Sequence, residues 1–168
     1  MYPSVLAISY FFHLLATIVW IGGLALLVLV VWPAAARTLG DDPRWPELLA
    51  ELRRRFTPWA NLSLVILIVT GLFQTSGDPN YNGLLVFDSA WSRAILLKHI
   101  AIGGMIIVGA LLQFGVAPAQ ERLAILRTRG KADPAEAARL LRRERRLNAL
   151  NLALGALVLA FTAVATAL

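Results

Sequence analysis

Polar residues fall along this chain in blocks, without two-residue alternation. Four stretches, residues 4–32, 58–75, 94–117 and 147–168, are almost wholly apolar, and the only charge inside any of them is Lys98. Each is long enough to cross hydrocarbon, which takes about 20 residues at ~1.5 Å rise per residue. A backbone in lipid must satisfy its own hydrogen bonds, and a barrel strand would alternate, so continuous apolar runs specify helices. The predicted fold class is all-α: an integral membrane four-helix bundle, one domain over residues 1–168.

Local signals place the ends of these helices. The first run has no basic segment ahead of it and far exceeds a signal peptide's apolar core, so it is expected to persist as the first helix, tilted or protruding. Trp32-Pro33 is expected to end it, because proline disfavours helical geometry in the residue before it. Pro46 to Arg55 reads as a short separate helix with Glu51 four residues ahead of Arg55. Thr57 and Pro58 then read as cap and first-turn proline of the second span. Residues 76–83, Ser-Gly-Asp-Pro-Asn-Tyr-Asn-Gly, form a turn-rich connection, and Ser89 is a cap for the third span. The third span is expected to continue past Pro118, kinked, toward Arg129. Asp133, after a turn at Gly130, should cap a helix running from Pro134 through an arginine cluster into the fourth span. Together these two segments predict a helical hairpin extending beyond the membrane.

Composition supports a membrane protein, since 58% hydrophobic and 15% charged residues leave too little polar surface for a soluble globule of 168 residues. The net charge of +6 gains meaning from where it lies. Residues 33–56 hold five arginines and residues 117–146 hold eight with Lys131, whereas residues 76–93 hold only Arg93 against Asp78 and Asp88. The positive-inside rule then makes the first and third connections cytoplasmic and predicts an N-out/C-out topology in a bacterial-type inner membrane. The basic excess reads as a topology signal with attraction to anionic lipid, and no nucleic-acid partner is expected. Absence of cysteine excludes disulfides, thiolate metal sites, iron–sulfur clusters and covalent haem attachment.

The candidate chemistry lies in the two histidines. His13 and His99 each sit about nine residues into a span entered from outside, or ~14 Å deep, and an ionisable ring at such depth is a functional-site candidate. On the first helix Ser9, Tyr10, His13, Thr17 and Trp20 follow the spacing of one polar face. On the third, Gly103, one turn beyond His99, leaves space beside the ring.

The segment His13-Leu-Leu-Ala-Thr-Ile-Val-Trp20-Ile-Gly-Gly-Leu24 with Pro33, then Arg55-Phe-Thr-Pro58 before a span ending Thr70-Gly71, then Trp91 ahead of Ile95-Leu-Leu-Lys98, resembles the copper-resistance CopD membrane domain. A more distant similarity is to HemJ-type protoporphyrinogen oxidases, which share a histidine seven residues before a tryptophan and a lysine in the third helix. This chain lacks the arginine that follows the Trp-Ile-Gly-Gly element in that second group. The resemblance implies that His13, Trp20 and Lys98 are the positions to watch, and that copper handling or porphyrin chemistry is the area of function.

The residue inventory favours a b-type haem held by His13 and His99 and used in electron transfer. Copper(I) prefers sulfur, and the chain offers only Met1 and Met105. A haem needs one or two imidazoles, an apolar slot and cationic or polar groups for its propionates. Arg93, six residues or ~9 Å outward of His99, belongs to an outer layer with Tyr81, Asn82 and Trp91. Lys98 either snorkels to the outer headgroups or clamps an anion. Copper is the alternative cofactor, with uptake or homeostasis as its function, and a porphyrin-oxidising enzyme is a third reading. Beyond the lipid bilayer, the expected partners are a larger respiratory or photosynthetic complex or further copies of the chain.

Overall fold

The computed structural model describes residues 3–40, 42, 44–81, 83 and 88–168. They are all-α, with no strand among them, and four helices are long and apolar enough to cross a membrane: α1 (Ser4–Thr38), α2 (Arg44–Ser76), α3 (Ala90–Thr128) and α4 (Pro134–Ala167). The chain forms two compact units, Met1–Arg93 and Ala94–Leu168.

In the first unit, α1 does not end at Trp32-Pro33 but continues to Thr38. The reason lies in the turn before the proline. α1 widens into π-helix over Ile18–Gly22 and again over Leu27–Val31. Pro33 would clash with the carbonyl of Leu29, four residues back, and that residue lies inside the second π segment. Likewise, the expected separate helix at Pro46–Arg55 and the expected cap at Thr57 are replaced by one 33-residue helix, α2, with Pro58 inside it. One lost backbone bond, to Arg54, is a smaller penalty than ending and restarting a helix. The start of α2 is set by Asp42, whose carboxylate accepts from the Arg44 side chain at 2.7 Å and from the Arg44 backbone N–H at 2.8 Å. Those bonds hold its pKa at about 2. Glu51 pairs with Arg54 and accepts from Arg55 Nε at 2.6 Å, as the spacing predicts.

α1 and α2 pack antiparallel, burying Ala16, Trp20, Ile21, Leu24, Trp32, Trp45 and Leu49. Trp32 and Trp45 meet edge-to-face with centroids 5.3 Å apart. Gly23 is a notch for Phe56: a Cβ there would stand 2.7 Å from the ring's Cζ, whereas one on Gly22 would only touch Ile18 at 4.0 Å.

The second unit is built by α4 and most of α3. Ser89 caps α3, accepting from the Ser92 N–H at 3.0 Å. α3 passes Pro118 as expected, again directly after a π segment, Leu111–Val116, which contains Phe114, the residue four before the proline. Asp133 caps α4, its Oδ1 accepting from the Ala135 N–H at 2.8 Å, and Gly130 makes the turn with φ +67°. α4 then runs unbroken through the arginine cluster to Ala167. Met105 and Val116 are fully buried, and Gly104 packs against Leu154, 3.2 Å from the position a Cβ would take.

The two adjacent glycines of α1 separate packing from propensity. Gly23→Ala should lower stability by about 1–3 kcal/mol through overpacking against Phe56, while Gly22→Ala should be neutral or mildly stabilising. Thermal unfolding of both variants in detergent measures this, and equal midpoints would show that the notch carries no packing role.

Candidate metal centre

Two polar rungs join α1 to α2, one helical turn apart on both. Gln74 Nε2 donates to Ser9 Oγ at 3.2 Å, and His13 Nδ1 lies 2.7 Å from Thr70 Oγ1. The direction of the second bond follows from proton counting. Thr70 Oγ1 is 2.6 Å from the carbonyl oxygen of Ile66, and two oxygens that close need a proton between them, which only the hydroxyl can supply. Thr70 therefore accepts from His13, so the neutral ring carries its proton on Nδ1 and its lone pair on Nε2. Gly71 walls the other edge: a Cβ there would stand 3.4 Å from Cε1 of the ring.

His99, in the second unit, reaches the same tautomer by a different route. Its Nδ1 lies 2.7 Å from the carbonyl oxygen of Ile95, which can only accept. Both imidazoles thus have one N–H tied to an oxygen, as metal-binding histidines usually do.

The remaining candidates divide by role. Thr17 donates to the His13 carbonyl at 2.8 Å, spending its hydroxyl on its own helix. Trp20 is buried, whereas Tyr10 is 48% exposed and lies off the face that carries Ser9 and His13. The π segment beginning at Ile18 also breaks the helical register between His13 and Trp20, so seven-residue spacing does not keep them on one line. Lys98 is half-buried and Arg93 exposed. Gly103 has open space around it, as expected, but so does Gly109. Asn82 lies outside the described residues. Among the described residues, no group of three or more His, Asp or Glu side chains is placed to hold a metal ion.

Comparison with known proteins gives this geometry a context. The copper resistance protein D family matches residues 50–165. The chain belongs to that family. It is also 31% identical over 127 residues to the copper transport protein CutJ of Bacillus subtilis (strain 168), a match covering 70% of this chain and 20% of that protein. The chain thus spans about a fifth of that relative's length. No solved structure matches it. The family match includes Thr70, Lys98 and His99 but begins after His13. Membership makes this a copper-related, multi-pass membrane protein, and it lends no support to the haem b reading.

One polar group escapes sequence reasoning. Glu144 is only 5% exposed, although the neighbouring Arg142, Arg143, Arg145 and Arg146 are more open to their surroundings. It accepts from Gln120 Nε2 at 2.7 Å, and its backbone carbonyl accepts from Asn148 Nδ2 at 3.1 Å. Asn151, one further turn along, is equally buried, and its Oδ1 has no hydrogen-bond partner among the described residues. The signal was present as the i, i+4, i+7 spacing of Glu144, Asn148 and Asn151, hidden by the arginines around it. Removing the donor by Gln120→Leu should cost about 1–3 kcal/mol, while Arg143→Gln on the exposed face should stay within ~0.5 kcal/mol. Chemical denaturation of the two variants tests this, and a neutral Gln120→Leu would show the bond to be dispensable.

Proposed function

We propose that this member of the copper resistance protein D family handles copper within the membrane, with the Nε2 atoms of His13 and His99 as donors. The observation that carries the reading is the tautomer of the two rings. Each is held with Nδ1–H on an oxygen, through Thr70 in one unit and Ile95 in the other. Imidazole nitrogen is a good copper donor. Sulfur contributes little, since the chain has no cysteine and Met105 is fully buried in packing. Copper is here the cargo and not a resident cofactor. The relative named a copper transport protein supports movement of the ion as the activity.

The charge distribution supports an orientation with both termini outside, in a bacterial-type inner membrane, and with the α3–α4 hairpin in the cytoplasm. His13 and His99 then lie in the outer half of their spans, and copper is accepted from the outer side. Reporters fused after Arg129 should read cytoplasmic and those after Tyr81 external. The reverse pattern would place both histidines in the inner half and end the outer-acceptance reading.

Purified protein loaded with copper and analysed for metal should lose copper stoichiometry in His13→Ala and in His99→Ala, each remaining folded. Copper content equal to the parent in both variants would overturn the assignment. So would a dithionite-sensitive Soret band in the parent, which would restore haem as the bound group.

A further inference from the structure

The buried side of α3 is not the side that carries His99. Ala94, Ala101, Met105 and Val108, three to seven residues apart, are each no more than 5% exposed and form one buried stripe. At ~100° per residue, His99, Gly103, Ile106 and Ala110 fall on the opposite side of the helix, ahead of the π segment that begins at Leu111. His99 is exposed there, Ile106 is 38% exposed, and a Cβ on Gly103 would meet nothing within 4 Å. Lys98, four residues after Ala94, lies in line with the buried stripe and outside this face. His99 gives Nδ1 to the Ile95 carbonyl, and its Nε2 has no partner among the described residues. An imidazole with one nitrogen unengaged therefore stands on a helix face that the chain itself leaves uncovered, inside a span where lipid offers it no hydrogen bond.

We propose that two copies of this chain share a copper ion, each supplying Nε2 of His99 across a contact between these α3 faces. The proposal rests on the reading of His99 as a copper donor. A second copy is the occupant that membrane geometry favours. Copies inserted by the same charge distribution lie parallel, related by an axis along the membrane normal, so identical residues stand at identical depth and the two His99 rings are level. Gly103, one turn along, and Ala110, two turns further, are the small residues that let helices approach closely in lipid. Imidazole nitrogen suits copper, and copper(I) needs as few as two donors. Among the described residues one chain gathers no group of three or more His, Asp or Glu side chains to hold a metal ion. The contact supplies the second imidazole, and the ion engages the one atom of that face that lipid cannot satisfy.

The chain has no cysteine, so single introduced cysteines report the contact in the full chain in membranes. Ile106→Cys should form a disulfide-linked dimer on oxidation with iodine, while Val65→Cys, exposed on α2, should not. In the His13→Ala background His99 is the remaining histidine, and purified protein saturated with copper(I) should hold one ion per two chains. Gly103→Leu in that background should abolish both the Ile106→Cys link and the bound copper, although His99 is intact. Gly109→Leu, at an equally open glycine ~120° round the helix from Gly103, should change neither. The cysteine comparison stands by itself should Gly103→Leu fail to fold. If Ile106→Cys links no more than Val65→Cys, or if the His13→Ala protein saturates at one ion per chain or binds none, sharing between copies is overturned and the ligand assignment of the preceding section is untouched. If Ile106→Cys links the copies but His99→Ala holds as much copper as the parent, that ligand assignment fails, and the shared site falls with it.

Discussion

A polar group inside hydrocarbon has no water to fall back on, and the hydrogen bond between His13 and Thr70 is the clearest consequence of that constraint in this protein. The apolar runs of α1 and α2 otherwise present aliphatic and aromatic side chains, for which lipid and protein are nearly equivalent surroundings, so apolar burial alone would give them little reason to associate. What distinguishes one face of each helix is the pair of rungs Ser9–Gln74 and His13–Thr70. They lie on the same antiparallel interface as the close approach of Phe56 to Gly23, and the two kinds of contact agree on one register. The same bonds that align the helices decide the chemistry of the ring.

The backbone obeys the constraint too. Beyond the first turns of the long helices stand three prolines, Pro33, Pro58 and Pro118, and none ends a helix. Pro33 and Pro118 each follow a π segment, where the wider turn makes room for the ring. Pro58 stands near the arginine-rich first turns of α2 with no such segment, and the helix simply gives up one bond. Ending a helix in lipid would strand four carbonyls, so tolerating a proline is the smaller penalty.

That reasoning also explains what could be read in the sequence. The four spans, the caps at Ser89 and Asp133 and the turn at Gly130 were legible because each depends on residues adjacent in the chain. The breaks expected at Pro33 and Pro58 were misplaced because rules for proline derive from water, where a carbonyl left over finds a solvent partner. For the site, His13 and His99 stood out as ionisable groups in apolar runs. Thr70 stood in the sequence only as part of the Thr70-Gly71 end of the second apolar run, with nothing to mark it as a partner of His13. It donates to Ile66 and accepts from His13, and no one-dimensional pattern reveals a hydroxyl used in both senses. Glu144 was hidden for the opposite reason: a carboxylate among arginines reads as a solvated face until its burial is known.

Family membership and donor chemistry pulled apart in the sequence, one toward copper and the other toward haem. The absence of sulfur donors weighed against copper because softness was counted over residue types, without regard to the state of each group. Two imidazoles whose Nδ1 protons are already committed to oxygen are stronger metal donors than their type alone implies, since hydrogen bonding at one nitrogen raises the basicity of the other. The protonation state of each imidazole is what a count of donor types leaves out, and it eases the disagreement between the donor inventory and the copper-related family.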